Sequence, residues 1–205
     1  MILDFLSFIK ESNSDNTIRV SCAGLASINI DGKYLLVQNK KSRSNGIISY
    51  GPLGGALEYL PEGEEFLNNL NVEFERETPD LRFVIDVNKL NEFEQWFEHT
   101  NDREKSCKRE LIEELVLEES VLNDLKENNI SESHIDTIRD KSERFGVVSE
   151  RIFEIFEISF NPEIEKELKE IASNPNSTIG LFSKEEIIKG GGEIATHAKF
   201  ILKNN

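Results

Sequence analysis

Histidine, cysteine and long apolar runs are scarce in this sequence, and each scarcity excludes something. The three histidines, His99, His134 and His197, fall at no metal-ligand spacing, which argues against zinc chemistry. The two cysteines, Cys22 and Cys107, form no CxxC pair and sit in segments that read as a strand and a helix. They are expected to be two reduced core thiols, as in a cytoplasmic protein. No run of about eighteen apolar residues occurs, so no membrane-spanning helix is expected. The opening stretch, Met1 to Lys10, is apolar but carries Asp4 and lacks a basic front end and a small-residue cleavage site. It reads as part of a short amphipathic N-terminal helix over 1–17 that packs on the domain, rather than as a signal peptide.

Positive charge is the next shortage. Lys and Arg number 24 against 39 Asp and Glu, for a net charge of −15. Duplex nucleic acid is excluded as a partner, because its binding needs clustered cations to displace counterions. A small phosphorylated ligand is still compatible with such a surface if divalent cations mediate. The 205 residues suit one domain with a full core, here 18–205, and the composition is that of an ordinary globule. Whether the chain pairs as a homodimer is left open.

The pattern along the chain alternates strands and helices. Ile18 to Ile30 reads as β, and Asp31-Gly32 is a strong hairpin signal before the strand Lys33 to Gln38. Asn39 to Asn45 reads as a polar loop carrying Lys40, Lys41 and Arg43. Gly51-Pro52-Leu53-Gly54-Gly55 reads as a turn rich in backbone freedom. Pro61 to Leu70 suits a helix, Leu81 to Ile85 a strand, and Asn88 to His99 an amphipathic helix with Leu90, Phe93, Trp96 and Phe97 on one face. At that spacing Trp96 and Phe97 favour core packing over base stacking. A helix over Arg103 to Glu119, capped by Asn101 or Asp102, is expected next. Ser120 to Asn128 reads as a short helix, Ile130 to Ser142 as a polar connector, and Phe145 to Phe160 as a long strand. Pro162 to Ala172 is a helix with Pro in its first turn, and Thr178 to Phe182 a strand. Ser183 and Glu186 form a capping box, and Ile194 to Leu202 reads as a terminal helix. The fold class is α/β, one layered domain.

The chemistry concentrates in Arg109-Glu110-Leu111-Ile112-Glu113-Glu114. On a helix Glu110, Glu113 and Glu114 share one face at i, i+3 and i+4, where like charges repel by a few tenths of a kcal/mol per pair. By composition alone this could be a solvated acidic face. The string, however, matches the core of the Nudix box, G-x5-E-x7-R-E-U-x-E-E-x-G-U with U aliphatic. Leu53-Gly54-Gly55-Ala56-Leu57-Glu58 resembles its glycine opening, and Leu181 to Ile187 resembles the late strand-to-helix step of Nudix domains. The chain thus resembles the Nudix superfamily, whose fold is a mixed β-sheet between α-helices. The two halves of the box stand apart, so 58–100 is read as an insertion. Glu62, Glu64 and Glu65 follow the glycines but are not followed by an Arg-Glu-x-x-Glu-Glu string, and that register is discarded. Counting back from Arg109, the lone glutamate of the box becomes Asn101, its glycine Val116 and its closing aliphatic Leu117. The inserted strand Asp80-Leu81-Arg82-Phe83, the helix with Trp96-Phe97 and the pair Arg103-Glu104 resemble the SMODS-associated Nudix domains of bacterial nucleotide-signalling and defence systems.

The resemblance implies a site. Glu110, Glu113 and Glu114 would hold metal, with a carbonyl of Gly54 or Gly55 completing the shell, since only glycine lets backbone approach so closely. Mg²⁺ or Mn²⁺ suits all-oxygen donors. Arg109 and either Glu110 or Glu114 would be catalytic, Glu110 or Glu114 accepting the proton of an attacking water. Glu150 and Glu154 are candidate further ligands. Lys40, Lys41, Arg43 and Arg82 are candidate contacts to the ligand's phosphates. In the family the lone glutamate braces the box arginine, so Asn101 keeps a hydrogen bond but no charge there, and Glu104 is a partial substitute. Two functions follow: hydrolysis of the phosphoanhydride of a nucleoside diphosphate derivative, or sensing of a nucleotide-type signal without turnover.

Overall fold

The structure is a computed structural model and describes residues 16–144 and 147–202. The expected N-terminal helix falls almost wholly outside the described residues. The chain divides into two compact units. The first comprises 1–23, 56–105 and 137–153, and the second 24–55, 106–136 and 154–205. The whole of 58–100 belongs to the first unit.

The elements in chain order are β1 (Thr17–Ile30), β2 (Lys33–Gln38), α1 (Lys40–Ser44), β3 (Tyr50–Pro52), β4 (Gly54–Ala56), α2 (Glu64–Asn69), β5 (Glu73–Phe74), β6 (Arg82–Asp86), α3 (Leu90–His99) and α4 (Lys108–Ile112). A π-helical segment, Glu113–Glu118, continues α4. There follow β7 (Ile130–Arg144), β8 (Val147–Phe160), α5 (Pro162–Ala172), β9 (Ile179–Phe182), α6 (Lys184–Lys189) and a 3₁₀ turn at Thr196–Ile201. No helix among the described residues is long and apolar enough to cross a membrane.

In the first unit the start of β1 pairs antiparallel with β6, Val20 opposite Phe83, and β6 pairs with β5. The inward residues Ile18, Val20, Cys22, Phe83 and Ile85 meet Phe93 and Phe97 of α3. This is the period-2 and period-3.6 packing that the sequence pattern demands. Phe97 is buried and Trp96 stacks on Phe66, so both serve packing as expected.

In the second unit β2 pairs antiparallel with the end of β1, with β3 and with β9. Asp31 and Gly32 both take positive φ, 52° and 81°, the conformation of the two-residue hairpin turn that joins β1 to β2. Leu35, Leu53, Leu111, Leu115, Phe156, Leu168 and Ile179 form its core. The free thiol of Cys107 is buried there, and burial together with Glu132 pushes it up, so it stays protonated.

Several local expectations are corrected. Asn39 to Asn45 is not a loop: the Asn39 side chain accepts from Ser42 N–H and caps α1. The glycine turn is two short strands, β3 and β4, broken at Leu53. The acidic helix starts at Lys108, not Arg103. Arg103 instead makes an isolated bridge with Tyr59 and lies buried, 3.6 Å over the Phe97 ring, donating to the carbonyls of Phe97 and Glu104. No helix covers Ser120 to Asn128 beyond a 3₁₀ turn at Glu127–Asn129. The connector Ile130 to Ser142 is strand β7, and the terminal helix is only the 3₁₀ turn.

Candidate metal centre

The candidate centre lies wholly in the second unit, where α4 and its π-helical continuation face β4. Helix α4 is started from a distance. The Glu132 carboxylate of β7 accepts from Cys107 N–H and from the Ser106 hydroxyl, both at 2.7 Å, satisfying donors at the helix start. Leu111 and Leu115 bury the opposite face, which fixes the rotation of the acidic one.

Two of the three candidate carboxylates meet the glycines. Gly54 N–H donates to Glu114 Oε2 at 3.0 Å. Glu110 packs so closely on Gly55 that a Cβ there would overlap its carboxylate. Gly54 takes a φ of 128°, and a side chain on it would strike the carbonyl of Gly24 in β1. Glycine is therefore required at Gly54 by the strand, and at Gly55 its bare backbone leaves the room that the Glu110 carboxylate occupies. Glu113 has a different partner: Arg109 reaches Glu113 at 3.3 Å and Glu110 at 3.1 Å.

Electrostatics single out Glu114. Burial pushes its carboxyl up to about 8; the Gly54 bond opposes the rise, and the charges of Glu118, Glu110 and Glu119 add to it. Four carboxylates thus gather, and cations face three of them: Arg109 at Glu110, Lys40 at Glu118 and Arg43 at Glu119. Glu119 differs, because the bonds from Arg43 and Thr178 outweigh its own burial and hold it below the usual carboxylate range. Glu118 and Glu119 lay beyond the recognised string. The acidic run Glu118-Glu119 directly after it was the available signal.

The basic candidates are paired. Arg43 grips Glu119 with two bonds, at 2.8 and 3.0 Å, and Lys40 stands 4.0 Å from Glu118. Arg82 lies in the first unit, 3.7 Å from Asp80. The side chain of Lys41 lies outside the described residues. Also in the first unit, Asn101 accepts from Lys105 and Glu104 accepts from Glu58 N–H. Glu150 is buried there beside Lys141 at 3.6 Å, and Glu154 is buried in the second unit.

Among the described residues no three His, Cys, Asp or Glu side chains stand ready as a metal-ligand group. The donor chemistry nonetheless fits a hard divalent cation. It offers carboxylate oxygens from Glu110 and Glu114, a backbone bared by glycine, and a carboxylate cluster that a cation would relieve. Glu113 would join only by leaving Arg109.

A family model described as SMODS-associated NUDIX domain matches residues 17–202. No curated protein and no solved structure matches the chain.

Proposed function

The chain belongs to the SMODS-associated NUDIX domain family, and we propose that it hydrolyses the phosphoanhydride of a nucleoside diphosphate derivative with Mg²⁺ or Mn²⁺. The observation that carries this is the convergence of Glu110 and Glu114 on Gly54 and Gly55. Glu110 and Glu114 would hold the cation, which when bound neutralises diphosphate charge and acidifies water. Glu114 keeps one oxygen on Gly54 N–H, which fixes its rotamer and leaves the other free to take a proton. Glu110 or Glu114 would accept the proton of the attacking water. Arg109 bonds Glu113 and Glu110 and screens their repulsion. Of the basic candidates whose side chains are described, Lys40 has the longest pairing, at 4.0 Å, and would be available to a ligand phosphate. Arg43 and Arg82 would first have to leave Glu119 and Asp80. A cytoplasmic setting in bacterial nucleotide signalling or anti-phage defence is part of the same proposal.

One observation favours a second reading. With Glu113 on Arg109, only Glu110 and Glu114 of the three candidate carboxylates face the glycines, which suits a sensor that binds a nucleotide signal without turnover. Incubation with Mg²⁺ or Mn²⁺ and a panel of nucleoside diphosphate derivatives, dinucleotides and cyclic oligonucleotides separates the two. Turnover lost in Glu113→Gln/Glu114→Gln supports the hydrolase. Tight binding without turnover supports the sensor, and the absence of both turnover and binding sinks both readings.

A further inference from the structure

We propose that Arg43 is a positioning residue, which through Glu119 holds the segment carrying Glu114 in its π-helical register. The inference rests on the reading of Glu110 and Glu114 as cation ligands, and it concerns contacts within the second unit alone.

The chain of contacts is continuous. Both terminal nitrogens of Arg43 bond the Glu119 carboxylate, whose side chain is only 3% exposed. Thr178 adds a hydrogen bond to the same carboxylate. The Glu119 N–H donates to the carbonyl of Glu114 at 3.0 Å, a span of five residues that defines the π register rather than the α register. Glu114 in turn reaches Gly54 N–H with its side chain. The Glu114 carbonyl accepts this bond, so the register fixes the backbone of Glu114, from which its side chain reaches Gly54. Such segments are rare, and here the Glu119 side chain is held from outside the helix by Arg43.

Arg43 is itself fixed for that task. Its backbone N–H bonds the carbonyl of Asn39, the residue whose side chain caps the helix. A forked, half-buried guanidinium–carboxylate pair is specific in geometry in a way that a lysine is not. The neighbouring pair Lys40–Glu118 is 4.0 Å long and mostly exposed, and contributes little. A phosphate seeking Arg43 would have to displace a bidentate carboxylate.

The test compares wild type, Arg43→Gln and Arg43→Lys by amide hydrogen exchange without metal and by Mn²⁺ titration. The expected result for Arg43→Gln is exchange of the Glu119 amide accelerated about tenfold or more, with Mn²⁺ affinity lowered about tenfold. The denaturation midpoint should move little by comparison, and Arg43→Lys should recover only part of each effect. Unchanged exchange and unchanged Mn²⁺ affinity overturn the proposal, and would return Arg43 to the ligand's phosphates. If the wild type takes up no Mn²⁺, the cation reading fails on its own. The exchange result then decides alone: protection lost on removing Arg43 sustains its hold on the segment, and protection kept overturns it.

Discussion

Glu114 Oε2 accepts the amide hydrogen of Gly54 across 60 residues of sequence, and this one bond ties the acidic helix to the glycine strand. It also sets a conflict, since the same carboxylate is half-buried among Glu110, Glu118 and Glu119.

That conflict has a sign. The folded-state pKa of Glu114 is raised, from 4.5 to about 8, so its stabilising contribution is complete below the unfolded value and is lost as pH rises through about 8. Glu114→Gln retains an oxygen for Gly54 and cannot ionise. In chelator, calorimetry is expected to find the variant close to wild type near about pH 5 and a few degrees more stable near about pH 9. A wild type more stable than the variant at the higher pH contradicts the assignment.

The two glycines separate stability from binding. In Gly55→Ala the new methyl meets the mobile end of Glu110, so unfolding free energy should change by about 1 kcal/mol or less. Cation affinity should fall at least about tenfold, because the carboxylate is displaced. In Gly54→Ala the methyl meets the Gly24 backbone at a positive φ, and a loss of about 3 kcal/mol or more is expected in denaturant titration. Equal effects of the two substitutions on stability would refute this division.

Proton release follows from the same pKa. A cation that takes Glu114 near neutral pH must displace its proton, so uptake should release about one proton and tighten up to roughly tenfold per pH unit below about 8. Calorimetric titration in buffers of different ionisation enthalpy measures this directly. Uptake without release would show that Glu114 is not a ligand.

The start of the helix offers a test remote from the carboxylate cluster. Glu132→Ala removes the acceptor for Cys107 N–H and the Ser106 hydroxyl, and should cost about 1–2 kcal/mol in denaturant titration. A neutral result would mean that α4 is held by packing alone.

What the sequence disclosed and what it hid divide along a physical line. Signals complete within a few residues survived folding: the Asp31-Gly32 hairpin, the helix start at Pro162 and the Ser183–Glu186 capping box. The string Arg109 to Glu114 likewise disclosed the family. Features set by distant partners did not show. Asn101 and Asp102 look like caps, yet the cap of α4 comes from Glu132 on β7. Strand β7 looked like a connector because Ile130, Ile135 and Ile138 break the period of two, and Ile135 is indeed exposed. The π register leaves no mark in composition, since it depends on the Glu119 hold and on Ser120, which ends the segment at a φ of 50°. Val116 at the box's glycine position lets the helix run on to that later stop.

The most direct measurement is Mn²⁺ binding, followed by electron paramagnetic resonance, in wild type, Glu110→Gln, Glu114→Gln and Glu113→Gln. Saturable binding by the wild type is expected, weakened at least about tenfold in the first two variants and less in the third, whose carboxylate rests on Arg109. Binding unchanged in Glu110→Gln and Glu114→Gln, or no saturable binding by the wild type, would contradict a metal centre at the meeting of the acidic helix and the glycine strand.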